Sequence, residues 1–155
     1  MRRRDREITD TAQIERILGE AEVLHLAMYD GSEPYIAALN YAYSDGCLYM
    51  HCALEGRKVD ILRKNGRVAF QAETGVELVL KEEASQCTTR YKSVVGTGTA
   101  VLVDDREEKI KALDLLMIKH SGKAGAPYPE KALEKTLVIK VIVDSMTGKK
   151  SGYEE

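Results

Sequence analysis

RYKSVVGTGTAVLV, residues 90–103, is the stretch whose reading decides the fold. Its Gly96 and Gly98 follow an apolar run, and in a dinucleotide-binding α/β domain such glycines would open a helix around a pyrophosphate. Here the residues that follow, TAVLV, keep the β-branched pattern of a strand, so no helix starts. The two glycines therefore mark a bend or bulge inside one long strand, as a strongly curved sheet requires.

Working outward, RVAFQAE (67–73) and VELVLKE (76–82) read as two further strands. Earlier still, VLHLAMY (23–29), PYIAALNYAYS (34–44) and CLYMHC (47–52) are joined by Asp30-Gly31 and Asp45-Gly46, and Asp-Gly is a hairpin signal. They predict a three-stranded antiparallel meander. Helices punctuate the strands. Asp10 and Gln13 can cap one whose apolar stripe is Ile14, Ile17, Leu18 and Ala21. Asp105 with Glu108 can cap another, with Ile110, Leu113 and Met117 as its apolar line and Gly122 beyond its end. A loop at 123–130 and a short helix at 131–134 lead into a last strand, TLVIKVIVD (136–144). Residues 1–8 read as a polar arm and about 145–155 as a polar tail. Mostly hairpin-connected strands with inserted helices give a mainly β (α+β) class: one small, curved antiparallel sheet closing toward a barrel with flanking helices.

The chain has 155 residues, 44% hydrophobic and 31% charged, which suits a single globular domain. Its net charge of -2 argues against a general nucleic-acid binder. No apolar run approaches about 18 residues and the N-terminus lacks a signal-peptide core, so neither a membrane span nor export is expected and the cytoplasm is. Cys47, Cys52 and Cys87 lack C-x-x-C spacing and suit a reducing compartment. His25, His51 and His120 are too scattered to propose a metal.

The sharpest chemical signal is in YMHCALEGRKVDILRKNG, residues 49–66. Arg57 and Lys58 fall on the first turn of a helix whose apolar residues are Val59, Ile61 and Leu62, just after Gly56. Helix starts are already electropositive, so two cations there either extend into water or meet an anion such as phosphate. On 35–43, the residues Ile36, Ala38, Asn40 and Ala42 share a face whose small side chains could admit a flat ring, or could serve tight sheet packing.

The segment from Tyr49 onward resembles the FMN site of the pyridoxamine 5′-phosphate oxidase-like split-barrel proteins. REITD, PYIAALNYAY, YMHCALEGRK, CTTRYKSVVGTGTA and LMIKH, in that order, resemble the nitroimidazole-reductase branch of that superfamily. The resemblance implies a split β-barrel and a homodimer with FMN at the subunit interface. It implies that Gly56, Arg57 and Lys58 contact the phosphate, that His51 and Ala53 run along the flavin edge, and that Asn40, Tyr91 and Ser93 also touch FMN. It makes His51 the catalytic candidate and sets His120 near the cleft. The implied activity is an FMN-dependent oxidoreductase passing electrons from a nicotinamide donor to a small organic acceptor, such as a nitroaromatic. The alternative is a non-catalytic flavin- or haem-binding dimer for storage or sensing. The family's motif often has Ser before Arg-Lys where this chain has Gly56, and some members of the fold bind haem or a deazaflavin instead.

Overall fold

Gly96 and Gly98 lie within one unbroken strand, β7 (Thr88–Val103), in the computed structural model, which describes residues 4–153. A Cβ on Gly96 would come within 2.3 Å of the Phe70 ring, and one on Gly98 within 2.4 Å of the Ile142 carbonyl oxygen. Close approach of neighbouring groups is what requires glycine here. Between Thr97 and Gly98 the register with β8 slips by one residue, and the extra residue, Asp144, lies on β8: the bulge sits opposite the glycines, on the neighbouring strand, rather than in β7 itself.

The remaining elements are β1 (Glu7–Ile8), α1 (Thr11–Glu20), β2 (Val23–Tyr29), β3 (Pro34–Asn40), β4 (Ala42–Ser44) and β5 (Cys47–Ala53), followed by α2 (Arg57–Lys64) and β6 (Arg67–Val79). Beyond β7 come α3 (Arg106–Ser121), α4 (Glu130–Leu133) and β8 (Thr136–Ser151). All pairings are antiparallel, in the order β3-β2-β6-β7-β8-β5-β4, with β1 added to β8. The sheet's two ends, β3 and β4, are consecutive in the chain and separated only by Tyr41. It therefore curls into a barrel that is split rather than closed, with β3 touching β5 across the seam without a ladder between them among the described residues.

Tyr41 is fully buried at this closing point, and its hydroxyl donates to the Leu18 carbonyl at 2.7 Å. Lys119 lies 3.4 Å over the same ring and donates to the carbonyls of Leu18 and Ala21, the unpaired end of α1. Burial holds the Lys119 ammonium's pKa down at about 8. Inside, Leu24, Leu26, Phe70, Val94 and Ile139 form the core, and α1 plugs it with Ile14, Ile17 and Leu18. Asp10 caps α1 by accepting from the Ala12 amide, and Asp105 caps α3 by accepting from Glu108.

On the outside, α3 covers one part of the sheet, where Ala112 packs with Tyr49, Val103 and Val138. Its buried line is Lys109, Ala112 and Leu116 rather than Ile110, Leu113 and Met117, which are half-buried. The shift by one position is possible because Lys109 reaches partners inside the fold: its ammonium donates to the Leu133 carbonyl and pairs with Asp104.

Three strand readings need correction. The expected three-stranded meander is two separate hairpins: 34–44 divides at Tyr41 into β3, which pairs with β2, and β4, which pairs with β5 at the other end of the sheet. The segments 67–73 and 76–82 are not separate strands: β6 runs through both as far as Val79, across a bulge at Gly75, whose φ of 62° suits glycine. The expected polar tail is mostly strand, because β8 continues to Ser151 with β7 on one side and Glu7–Ile8 on the other. Within the expected polar arm, Glu7–Ile8 likewise forms a strand. Residues 1–3 and 154–155 of the arm and tail lie outside the described residues.

Candidate functional site

β5 delivers the chain to the site. His51 and Ala53 are exposed near its end, opposite Val138 and Thr136 of β8. Gly56 then has φ 124° and ψ 166°, a backbone that side-chain-bearing residues rarely adopt, and no atom lies within 4 Å of where its Cβ would be. Glycine in place of the family's frequent serine is thus tied to the backbone shape as well as to a missing hydroxyl. α2 begins there with no side-chain cap, so the amides of its first turn point outward unfilled by any side chain.

The two cations have different surroundings. Arg57 Nη2 lies 3.0 Å from Glu33 Oε2 and 3.7 Å from Asp30 Oδ2, and its guanidinium is 5.0 Å from the centre of the Tyr35 ring. Asp30 is itself fixed by the amides of Ser32 and Glu33 at 2.8 and 2.7 Å. Those amide hydrogen bonds, then the Ser32 hydroxyl and the charge of Arg57, lower its carboxyl pKa to about 2. Lys58 is half-buried and makes no hydrogen bond or ion pair among the described residues. Its charge works against burial at Cys52, whose thiol pKa is raised by desolvation and pulled back by Lys58. At the other end of α2, Asn65 donates to the Tyr29 carbonyl at 3.0 Å. Both ends of this helix are therefore tied to the β2–β3 turn.

Asn40 ends β3 on the outward side, its amide 3.4 Å from the Glu22 carbonyl. Ala42 pairs with Tyr49 in the β4–β5 ladder, which stops short of Tyr41; beyond it β3, which ends at Asn40, touches β5 across the seam without a ladder among the described residues. The fold therefore keeps His51, Ala53, Gly56, Arg57 and Lys58 together where β5 hands over to α2, with Asn40 at the end of β3 on the other side of the seam. It does not bring Tyr91 and Ser93 to them. Those two pair with Ser151 and Lys149, whereas Ala53 pairs with Thr136, roughly 40 to 50 Å away measured along β8. Tyr91 accepts a hydrogen bond from Lys149 Nζ at 2.6 Å, and Ser93 is buried. His120 is exposed in the last turn of α3.

Sequence reasoning missed Asp30 and Glu33 as partners of Arg57. The only local signal was the Asp30-Gly31 turn, which says where the chain reverses and not what faces it. It also missed a groove of about 400 Å3 on the outer face of β3, β2, β6 and β7, lined by His25, Ala27, Ile36, Ala69, Gln71 and Val95 among others. No helix among the described residues is long and apolar enough to cross a membrane, and no group of three or more metal-ligating side chains is gathered among them.

A curled antiparallel sheet, split at β3 and β5 with a glycine-opened helix start beside the seam, defines a split-barrel domain. The chain belongs to the pyridoxamine 5′-phosphate oxidase family, whose model matches residues 10–150. A solved structure from Bacteroides thetaiotaomicron, described as a candidate 5-nitroimidazole antibiotic resistance protein, is 32% identical with a TM-score of 0.82, over 93% of this chain and 86% of that one. The fold is also shared with an FAD- and haem-binding protein of Mycobacterium smegmatis, at 17% identity and TM-score 0.81 over 96% of this chain and 74% of that one. An FAD-binding protein of Mesorhizobium loti shares it at 23% identity and TM-score 0.68, over 95% and 98% respectively. No curated protein matches the chain at a significant level.

Proposed function

We propose that this chain, acting as one domain in the cytoplasm, binds FMN by its phosphate at Gly56, Arg57 and Lys58. In this reading it passes electrons from a nicotinamide donor to a small organic acceptor. The observation that carries the proposal is the start of α2: an open backbone at Gly56, first-turn amides with no capping side chain, and an unpartnered Lys58. A phosphate fits those donors, since helix amides and a lysine ammonium both favour an anion. Arg57 contributes at longer range, because Glu33 and Asp30 already hold it. A nitroaromatic acceptor is suggested by the description of the relative at 32% identity.

FMN would supply two-electron transfer, which no side chain here provides. The protein's own residues bind, orient and exclude water. Small Ala38 and Ala53 leave room for a flat ring at the seam, with Asn40 able to hydrogen-bond its edge. His51, exposed beside them, could hold a proton for the acceptor. Tyr91 and Ser93 lie too far away to serve the same ligand within one chain. The reading therefore calls for a homodimer in which the bare outer groove is covered and a second copy brings its half-buried Tyr91 to the flavin, whereas Ser93, buried within its own chain, stays out of the site.

A second reading, a non-catalytic flavin- or haem-binding dimer for storage or sensing, is favoured by one observation. No hydrogen-bond partner among the described residues orients His51. The visible spectrum of purified protein tests both. Under the first reading the protein is yellow, releases FMN on denaturation, bleaches anaerobically with reduced nicotinamide and recovers its colour with a nitroimidazole. A flavin that never bleaches leaves the storage reading. A colourless protein whose melting temperature ignores FMN defeats flavin binding altogether.

A further inference from the structure

The two carboxylates that flank Arg57 both come from the turn between β2 and β3, and they differ in what else they do. Asp30 builds the turn itself. Its Oδ1 accepts from the amides of Ser32 and Glu33 and from the Ser32 hydroxyl, and its own amide donates to the Glu33 carbonyl at 3.3 Å. The Glu33 side chain has no such duty. It is 71% exposed, and its one hydrogen-bond or ion-pair partner among the described residues is Arg57, at 3.0 Å. The turn therefore uses the backbone of Glu33, while the carboxylate of Glu33 serves to hold an arginine.

Arg57 is kept on that turn from three sides. Its Nη2 faces both Glu33 and Asp30, and its guanidinium lies 5.0 Å from the centre of the Tyr35 ring on β3. Two carboxylates against one guanidinium make a net negative cluster beside a helix start that is otherwise positive. Lys58, the next residue, has no such partner among the described residues. Of two adjacent cations, then, one is already neutralised from within the chain. An exposed ion pair is weak, so a phosphate dianion can displace Glu33 from Arg57, and part of its binding energy goes into doing so.

We infer that Glu33 is a built-in competitor for the cofactor's phosphate: by holding Arg57 on the turn it sets how tightly the Gly56 corner keeps FMN, an inference that rests on the phosphate reading of that corner. The contact acts in both directions. If Glu33 weakens phosphate binding, phosphate weakens the hold of Glu33 on Arg57 by the same factor, and FMN is felt in the β2–β3 turn. The test titrates the full chain with FMN and with riboflavin, which differ by the phosphate alone, and follows flavin fluorescence. Glu33→Gln keeps the backbone contacts of the turn and should tighten FMN about threefold, the weight of one exposed ion pair, while leaving riboflavin unchanged. In an Arg57→Gln background the same substitution should change neither ligand, because the competitor has nothing left to hold. In the 15N-labelled parent, FMN should shift the amides of Ser32 and Glu33 and riboflavin should not. An FMN affinity that Glu33→Gln leaves unchanged or lowers, a gain that persists without Arg57, or turn amides that ignore FMN each overturn the inference and leave the phosphate site standing. A parent that binds no FMN, or binds riboflavin as tightly as FMN, marks the separate failure of the phosphate site itself and takes the inference with it.

Discussion

The outer face of this sheet has two halves that differ in what covers them. Over β5, β8 and the end of β7, α3 seals Tyr49, Val103 and Val138, and Val138 is 1% exposed. Over β3, β2, β6 and the middle of β7, no helix among the described residues lies across the outer face, and Ile36 and Val95 are 62% and 48% exposed. Both halves carry apolar side chains, so composition alone does not separate them. The chain covers the first half itself, and in the proposed dimer a second copy covers the other. The Gly56 corner, the proposed phosphate site, lies at the boundary between them, at the seam where β3 meets β5.

The same substitution on each half should therefore have opposite consequences. Val138→Asp would bury a carboxylate under α3 and should cost about 3 kcal/mol or more, measured by urea denaturation. A near-normal midpoint would mean that α3 does not seal that half. Val95→Asp should leave the stability of the isolated chain within about 1 kcal/mol of the parent while splitting the proposed dimer, which sedimentation velocity would read. An intact dimer in that variant would place the interface elsewhere. At the boundary, Lys58→Ala should weaken FMN about tenfold and leave riboflavin unchanged, because the lost contact is to phosphate. Equal losses for both ligands would remove Lys58 from the phosphate site.

The smallest expected effect concerns pH. Asp30 titrates at about 2 when folded and near 3.8 otherwise, so its stabilising contribution is whole above the higher value. It fades as pH falls through 3.8 toward 2. Asp30→Asn should flatten that part of the acid-unfolding curve and loosen Arg57 from the β2–β3 turn. An unchanged acid limb would show that the Asp30 turn holds nothing in place.

Features that depend on neighbours in the chain were legible in the sequence. The caps at Asp10 and Asp105 and the turns at Asp30-Gly31 and Asp45-Gly46 were among them. The strand through Gly96 and Gly98 was too, because TAVLV rules out a helix there. The far end of β8 was not, since Gly148, Lys149 and Lys150 have no apolar alternation and owe their extended form to the β7 ladder, with β1 added on the other side of Gly148 and Lys149. Nor was the pairing of Arg57 with Glu33, a contact across 24 residues that only the curl of the sheet creates. The sequence placed Gly56, Arg57 and Lys58 together because they are adjacent. It also grouped Tyr91 and Ser93 with them, and the strand register separates these two from the corner.

Tyr41 is the only residue between the two end strands of the sheet. Because the single residue between β3 and β4 joins the first and last strands of the order, the barrel is a hoop fastened by one covalent link. Cutting the backbone there would leave every ladder intact on paper and yet free the hoop to unroll into a ribbon with two naked margins, the form most inclined to stick to other ribbons. New chain ends for a rearranged version of this protein therefore belong at a remote loop, such as the one before α4, and not at this clasp.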